Sequence, residues 1–165
     1  MRNAILDDSY SISETGKVFA IAGDKASTAT MLISLAERLR KQGVLFIDAA
    51  HSFNQVFVQR NFPKKTIDLK NIYISRPFTF DQFASSINTL KKSVVELKAK
   101  AIVISGFERF ILELKREEQE PQMERLLTEL GELSRMHGCV TIVGIEKDSR
   151  MEEALLPYVQ LCTRI

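Results

Sequence analysis

The sequence predicts an α/β fold built on a mostly parallel sheet with helices on both faces. Two observations carry this. Short, continuously apolar runs recur along the chain, and stretches with helical spacing of apolar residues separate most of them. A strand that is apolar throughout, rather than alternating, needs cover on both sides, and parallel sheets obtain that cover from their crossover helices.

The elements follow in order. Lys17-Val18-Phe19-Ala20-Ile21-Ala22 reads as a buried strand and Ser27 to Gln42 as an amphipathic helix. Val44 to Asp48 is the second strand, followed by a helix from about Ser52 to Arg60, and Ile72 to Ser75 is the third strand. The next helix opens with Thr79 and Gln82 spaced as a capping box. It sets Phe83, Ile87, Leu90, Val94 and Leu97 along one side and Lys91, Lys92 and Lys98 on the other. Ala101 to Gly106 carries the fourth strand. A helix starting near Pro121, a residue suited to the first helical position, buries Met123, Leu126, Leu127, Leu130 and Leu133 and ends at Gly138. Cys139 to Gly144 and Tyr158 to Ile165 are the last two strands.

With 165 residues, 45% of them apolar, the chain is expected to form a single domain around one core, with Met1 to Thr15 as a polar, flexible N-terminal segment. That segment lacks the apolar stretch of a signal peptide, and no run of about 18 apolar residues occurs, so a cytoplasmic protein without membrane attachment is expected. A formal charge of +2 is too small to establish nucleic-acid binding by itself. Cys139 and Cys162 fall in apolar strands and read as reduced core residues. His51 and His137 have no second ligand at metal-binding spacing, so neither catalysis nor a metal is assigned to them.

The most informative segment is Gly23-Asp24-Lys25-Ala26-Ser27-Thr28-Ala29-Thr30, which lies between a strand and a helix, where a phosphate-binding loop belongs. In a G-x-x-x-x-G-K-[ST] loop, backbone N–H groups cradle the phosphates, the lysine reaches the β/γ oxygens and the hydroxyl binds Mg²⁺. Here Gly23 and Thr30 match, while Thr28 and Ala29 replace the second glycine and the lysine. The competing reading is an ordinary polar turn with Ser27 or Thr28 as helix cap.

Further along, Val44-Leu45-Phe46-Ile47-Asp48-Ala49-Ala50-His51-Ser52-Phe53 resembles the Y-I-D-T-E-G-[ST]-F pattern of the RecA/RadA recombinase superfamily. Ile47, Asp48, Ser52 and Phe53 fit that pattern, and Ala50 falls at the family's water-activating glutamate. Asn71 to Thr79 resembles the family's third strand and its exit. Ala101 to Gly106 resembles its Walker B strand, with Ser105 at the magnesium-linked aspartate, and Cys139 to Gly144 resembles the strand ending in its T-N-Q sensor, replaced here by Ile145 and Glu146. The resemblance runs from about Gly16 to Ile165. It implies a RecA-like P-loop NTPase core whose nucleotide positions, Gly23, Lys25, Thr28, Ala29, Thr30, Ala50 and Ser105, are degenerate. With lysine, base and metal ligand all replaced, the resemblance implies a pseudo-ATPase without a cofactor. Weak ATP binding through a displaced Lys25 stays open.

Two departures from the recombinase pattern bear on function. Only about a dozen residues, Glu146 to Pro157, separate the last two strands, where the family carries a longer DNA-binding loop, and no N-terminal DNA-binding domain or filament linker is expected. The segment Glu108 to Glu120, at the position of the family's first DNA loop, mixes charges and reads as a solvated helix with spaced ion pairs rather than a strand-contacting loop. Basic residues are denser at Arg60, Lys64, Lys65 and Lys70 and again at Lys91, Lys92, Lys98 and Lys100, where they either track phosphates or simply coat helix exteriors. Phe53, Phe57 and Phe62 are read as core, with a patch for another subunit as the competing reading.

The resulting expectation is a non-catalytic RecA/RadA paralogue, an accessory in homologous recombination or DNA repair. It would bind a recombinase or sister paralogue, and also DNA, single-stranded in the first instance, through Arg60, Lys64, Lys65, Lys91 and Lys92. Two alternatives stand beside it: a divergent KaiC-like ATPase using Lys25 and Thr30, and a structural subunit that touches no nucleic acid.

Overall fold

A computed structural model describes residues 16–63, 66–147, 150–159 and 161–165. Strands β1 (Val18–Gly23), β2 (Val44–Asp48), β3 (Ile72–Ser75), β4 (Ala101–Ser105), β5 (Val140–Glu146) and β6 (Leu161–Arg164) form one sheet in the order β3-β2-β4-β5-β1-β6. Every pairing is parallel. The α/β class and the parallel sheet are as the sequence predicts. Helices α1 (Lys25–Leu39), α2 (Gln55–Asn61), α3 (Phe80–Glu96), α4 (Phe107–Leu112), α5 (Arg116–His137) and α6 (Arg150–Leu155) fill the connections. No helix among the described residues is long and apolar enough to cross a membrane.

Because side chains alternate along a strand, the apolar runs feed two cores, one on each face of the sheet. Phe19 and Ile21, Val44 and Phe46, and Ala101 and Val103 pack with Leu32, Ile33 and Ala36 of α1, joined by Phe53, Phe57 and Phe62 around α2. The intervening residues, Val18 and Ala20, Leu45 and Ile47, and Ile102 and Ile104, pack under α3, α4, α5 and α6. Phe53 is buried edge-on against Phe46, with ring centroids 5.1 Å apart, so this phenylalanine group belongs to a core.

Several boundaries differ from the sequence reading. Helix α1 begins at Lys25, not Ser27, and its cap is Asp24, not Ser27 or Thr28. Helix α2 begins only at Gln55, after Asn54 has capped it. In α3 Thr79 caps the Gln82 N–H at 3.2 Å, but the Gln82 side chain accepts from Phe78 N, one residue before the capping-box donor. Leu97 is the C-cap of this helix and is 38% exposed, so it does not extend the buried stripe. Pro121 lies inside α5 rather than at its start. The helix begins earlier because the Gln119 amide reaches back to the carbonyls of Leu112 (3.2 Å) and Leu114 (2.8 Å), which fixes the turn between α4 and α5. The proline sacrifices only the bond to the carbonyl of Glu117, an exposed residue of the first turn. Tyr158 closes a 3₁₀ turn, Leu156–Tyr158, ahead of β6, so it is not in the strand.

In this order β2 lies to one side of β1 and β6 to the other. An open parallel sheet binds ligands beyond the carboxyl ends of its strands, at the point where the winding changes direction.

Candidate functional site

Beyond the C-terminal ends of β1, β2, β4 and β5 lies a cleft of about 280 Å³ lined by Lys25, Thr28, Ala29, Ala50, Ser105, Gly106, Glu108, Arg109, Leu112, Gly144, Ile145 and Glu146. It brings together Lys25, Thr28, Ala29, Ala50 and Ser105 from three segments distant in sequence. Gly23 and Thr30 lie outside this lining. A Cβ on Gly23 would meet Ile165 Cγ1 at 2.7 Å and Thr28 Oγ1 at 2.9 Å, so this glycine serves packing at the strand end. The Thr30 hydroxyl donates to the Ala26 carbonyl at 2.8 Å, a bond within its own helix.

The phosphate-loop position is where the structure departs most from the motif. No loop separates strand from helix: β1 ends at Gly23, Asp24 caps, and α1 starts at Lys25. The Asp24 carboxylate accepts from Ala26 N and Ser27 N, both at 3.0 Å, and from the Ser27 hydroxyl. These are first-turn N–H groups of the kind that attract an anion to a helix start. Here the chain's own anion takes them, and the bond from the Ser27 hydroxyl, foremost among these bonds, holds the Asp24 carboxyl below its usual range.

Beside the cleft, Asp48 is fully buried and organises the ends of β2 and β4. Its Oδ1 accepts from Ser52 N (2.9 Å), Ser52 Oγ (3.2 Å) and Ser105 Oγ (2.9 Å), and its Oδ2 accepts from Phe53 N at 2.9 Å. Arg76 Nε lies 3.3 Å from Oδ2 and balances the charge. The Ser105 hydroxyl, expected from the sequence at a metal-ligand position, is therefore tied inward to Asp48. Ala50, which the sequence reading sets at the position of the base, is held by a backbone bond from its N–H to the Ser105 carbonyl at 3.2 Å.

Gly106 then turns the chain into α4 with φ +62°, and a Cβ there would lie 2.9–3.1 Å from the Cβ, N and Cα of Ala50. Left-handed backbone costs a non-glycine residue ~1–2 kcal/mol, and crowding a neighbour's backbone costs ~1–3 kcal/mol. Gly106→Ala is accordingly expected to lower unfolding free energy by about 2–4 kcal/mol, read from the urea midpoint at unchanged slope.

The sequence reading of Glu108 to Glu120 as a solvated segment fails at Glu108, Phe110, Ile111 and Gln119, which are buried, and holds for the exposed Arg109. Glu108 is buried, 7% exposed, and lines the cleft; its Oε1 accepts from Glu146 N at 3.1 Å. Oε2 has no hydrogen-bond partner among the described residues. Burial, foremost, pushes the Glu108 carboxyl above its usual range, and the Glu146 charge adds to the shift. Arg109 Nη1 donates to the Ala49 carbonyl at 2.7 Å, and its guanidinium lies 5.2 Å from the Phe110 ring centroid. Glu108 could have been noticed from its place directly after the end of a buried parallel strand, where ligand-binding side chains collect. Its charged surroundings in sequence masked it.

A carboxyl whose folded pKa is raised favours folding at low pH and loses that contribution as pH rises from the unfolded pKa through the folded one. Glu108→Gln keeps an acceptor for Glu146 N and cannot ionise. The variant should therefore match wild type near pH 4 and become more stable than it toward pH 7. A stability difference that stays flat across that range, measured by urea denaturation, would contradict the burial of an ionisable carboxyl here.

The basic candidates do not form one surface. Arg60 is exposed on α2, which packs on the same sheet face as α1, whereas Lys91 and Lys92 are exposed on α3, across the sheet. Lys92 faces Glu96 at 3.7 Å. Lys64 and Lys65 lie outside the described residues. His51 Nε2 bonds the Pro77 carbonyl at 2.8 Å and the ring stacks edge-on with Phe78, while the Cys139 thiol is buried and held by the Ala99 carbonyl at 3.4 Å.

No family model matches the sequence. Protein RecA of Allorhizobium ampelinum is 35% identical over 81 residues, 47% of this chain and 21% of that protein. The match thus spans about a fifth of the length of the curated relative. Parallel topology, a cleft at the carboxyl strand ends and this sequence similarity together support a RecA-like relationship for the chain.

Proposed function

We propose that the chain is a RecA-like protein that has lost ATP turnover and works by binding, as an accessory in homologous recombination or DNA repair. It docks onto a recombinase or a sister RecA-like chain and contacts DNA through exposed lysines. The observation that carries this reading is the Asp24 carboxylate seated on the first N–H groups of α1, at the position where a phosphate would have to lie. Around it, Ala29 offers no ammonium, Ala50 no base and Ser105 no free carboxylate. Each lost transition-state partner costs on the order of 3–4 kcal/mol, so several missing at once leave negligible hydrolysis. The similarity to a protein named RecA favours recombination as the setting.

Titration of labelled single-stranded and duplex DNA, followed by fluorescence anisotropy at low and physiological salt with and without ATP and Mg²⁺, tests this. Salt-sensitive binding that ignores ATP, weakened in Lys91→Ala/Lys92→Ala, is the expected result. No binding at low salt removes DNA from the function. Co-sedimentation with purified recombinase tests docking separately. One observation favours a second reading, in which a divergent ATPase binds nucleotide: Lys25 lines the cleft and has no ion-pair partner among the described residues. That reading predicts saturable ATP binding abolished by Lys25→Ala.

A further inference from the structure

We propose that the cleft binds a small molecule presenting an N–H donor to Glu108 from a flat apolar body, an amidine or amino-heteroaromatic, and not a polyphosphate. Buried polar atoms in folded chains are almost always partnered, and the exceptions call for an explanation. One exception lines this cleft, Glu108 Oε2, in a residue 7% exposed; the unpartnered Thr28 Oγ1 is turned toward Gly23, outside the lining. The other Glu108 oxygen is already taken by Glu146 N, so a single acceptor position stays open. Beside this polar point the lining includes an apolar wall of Ala29, Ala50, Leu112 and Ile145. A few polar atoms set in an apolar lining are the usual make-up of a small-molecule site, and 280 Å³ lies at the small end of the ~300–1,000 Å³ range of such sites, which sets a fragment-sized ligand.

Charge selects the donor. Asp24 occupies the helix N–H groups, Glu146 stands in the lining, and the Arg109 guanidinium is engaged by the Ala49 carbonyl and the Phe110 ring, so of the two cations in the lining only Lys25 is left for an anion, against the carboxylates of Glu108 and Glu146. A metal ion fares no better. Among the described residues no cluster of three metal-ligating side chains exists, and the nearby Ser105 hydroxyl is bonded to Asp48. An N–H donor meets Oε2 in a charge-assisted bond, and the Thr28 methyl, on the side of Gly144, adds to the apolar wall. This inference stands apart from the recombination reading, since a docking protein can carry such a site or lack it.

The test uses the full chain and five probes: benzamidine and 2-aminobenzimidazole as donors, acetophenone and benzoate as N–H-free analogues, and inorganic triphosphate. Amide chemical-shift mapping should show saturable shifts at Ala50, Gly144 and Glu146 with the two donors and none with the other three. Glu108→Gln should weaken donor binding about tenfold or more, as expected for loss of a charge-assisted bond, and Glu108→Leu should abolish it, while the surface control Glu132→Gln leaves it unchanged. The proposal is overturned if neither donor binds, if Glu108→Gln binds them as wild type does, or if acetophenone, benzoate or triphosphate shifts the same amides. Glu108→Gln removes an unfavourable buried charge, so it is expected to fold, and loss of binding in it cannot be attributed to unfolding.

Discussion

Replacing Asp48 by alanine is expected to lower the unfolding free energy by about 3–5 kcal/mol, a large part of the stability of a domain this size. The reasoning rests on what the carboxylate leaves behind. Ser52 N–H and Phe53 N–H both donate to it within 2.9 Å, and Ser52 and Ser105 add their hydroxyls. Removing the acceptor leaves two buried backbone donors unpaired at ~1–3 kcal/mol each, and the hydroxyls lose their partner as well. Asp48→Asn should fall between alanine and wild type, because one carbonyl oxygen still serves the Ser52 and Ser105 donors while the amide nitrogen opposes Phe53 N–H. Urea denaturation at pH 7 measures all three proteins. An alanine variant within 1 kcal/mol of wild type would mean that water or a rearranged loop replaces the carboxylate easily.

The second large effect is expected at Ser105. An aspartate there, the residue that the resemblance sets at this position, places a carboxylate where the Ser105 hydroxyl now donates to Asp48 at 2.9 Å. Two carboxylates at this distance cannot both ionise without cost, and Arg76, itself half-exposed, is the one cation paired with Asp48 among the described residues. Breaking the charge balance of a buried group costs about 3–5 kcal/mol, so Ser105→Asp should destabilise by that order at pH 7 rather than create a metal site. The sign with pH follows from linkage. A carboxyl forced to keep its proton in the fold has a raised folded pKa, so the deficit shrinks as pH falls toward the unfolded carboxylate pKa of about 4. Added Mg²⁺ should not restore the lost stability. If Mg²⁺ does restore it, the site retains a latent metal geometry and the inward hydrogen bond is of little consequence.

Both predictions concern positions whose meaning in sequence differs from their meaning in the fold. Ser105 is legible as a vacated metal ligand, because its place at the end of a buried strand and the resemblance to recombinases locate it. That its hydroxyl closes a network with Asp48 and the Ser52–Phe53 turn is a through-space fact involving residues more than fifty positions apart. Glu108 was missed for the opposite reason. In sequence it opens a run of charges that reads as solvated, and only the packing of α4 against β5 buries it while the rest of that run stays mostly exposed.

The helix start shows the same division. Gly23 to Thr30 was recognisable as a strand-to-helix junction, but Asp24 as the cap was not, since Ser27 and Thr28 are equally good caps by type. Asp24 prevails because β1 carries its pairing with β5 through Gly23, which leaves a single residue to make the turn.

By itself the sequence determined the parallel α/β architecture and its strand order in time, because uninterrupted apolar runs separated by helical periodicities have few other ways to bury themselves. It also determined which side chains stand at positions 29, 50 and 105, since an alanine is an alanine in any fold. Tertiary structure alone decided which oxygens stay unpartnered, which carboxylate is neutralised by Arg76 and which is left buried at the cleft. Desolvation and hydrogen-bond satisfaction depend on what packs against a group in space, and neighbours along the chain do not specify that.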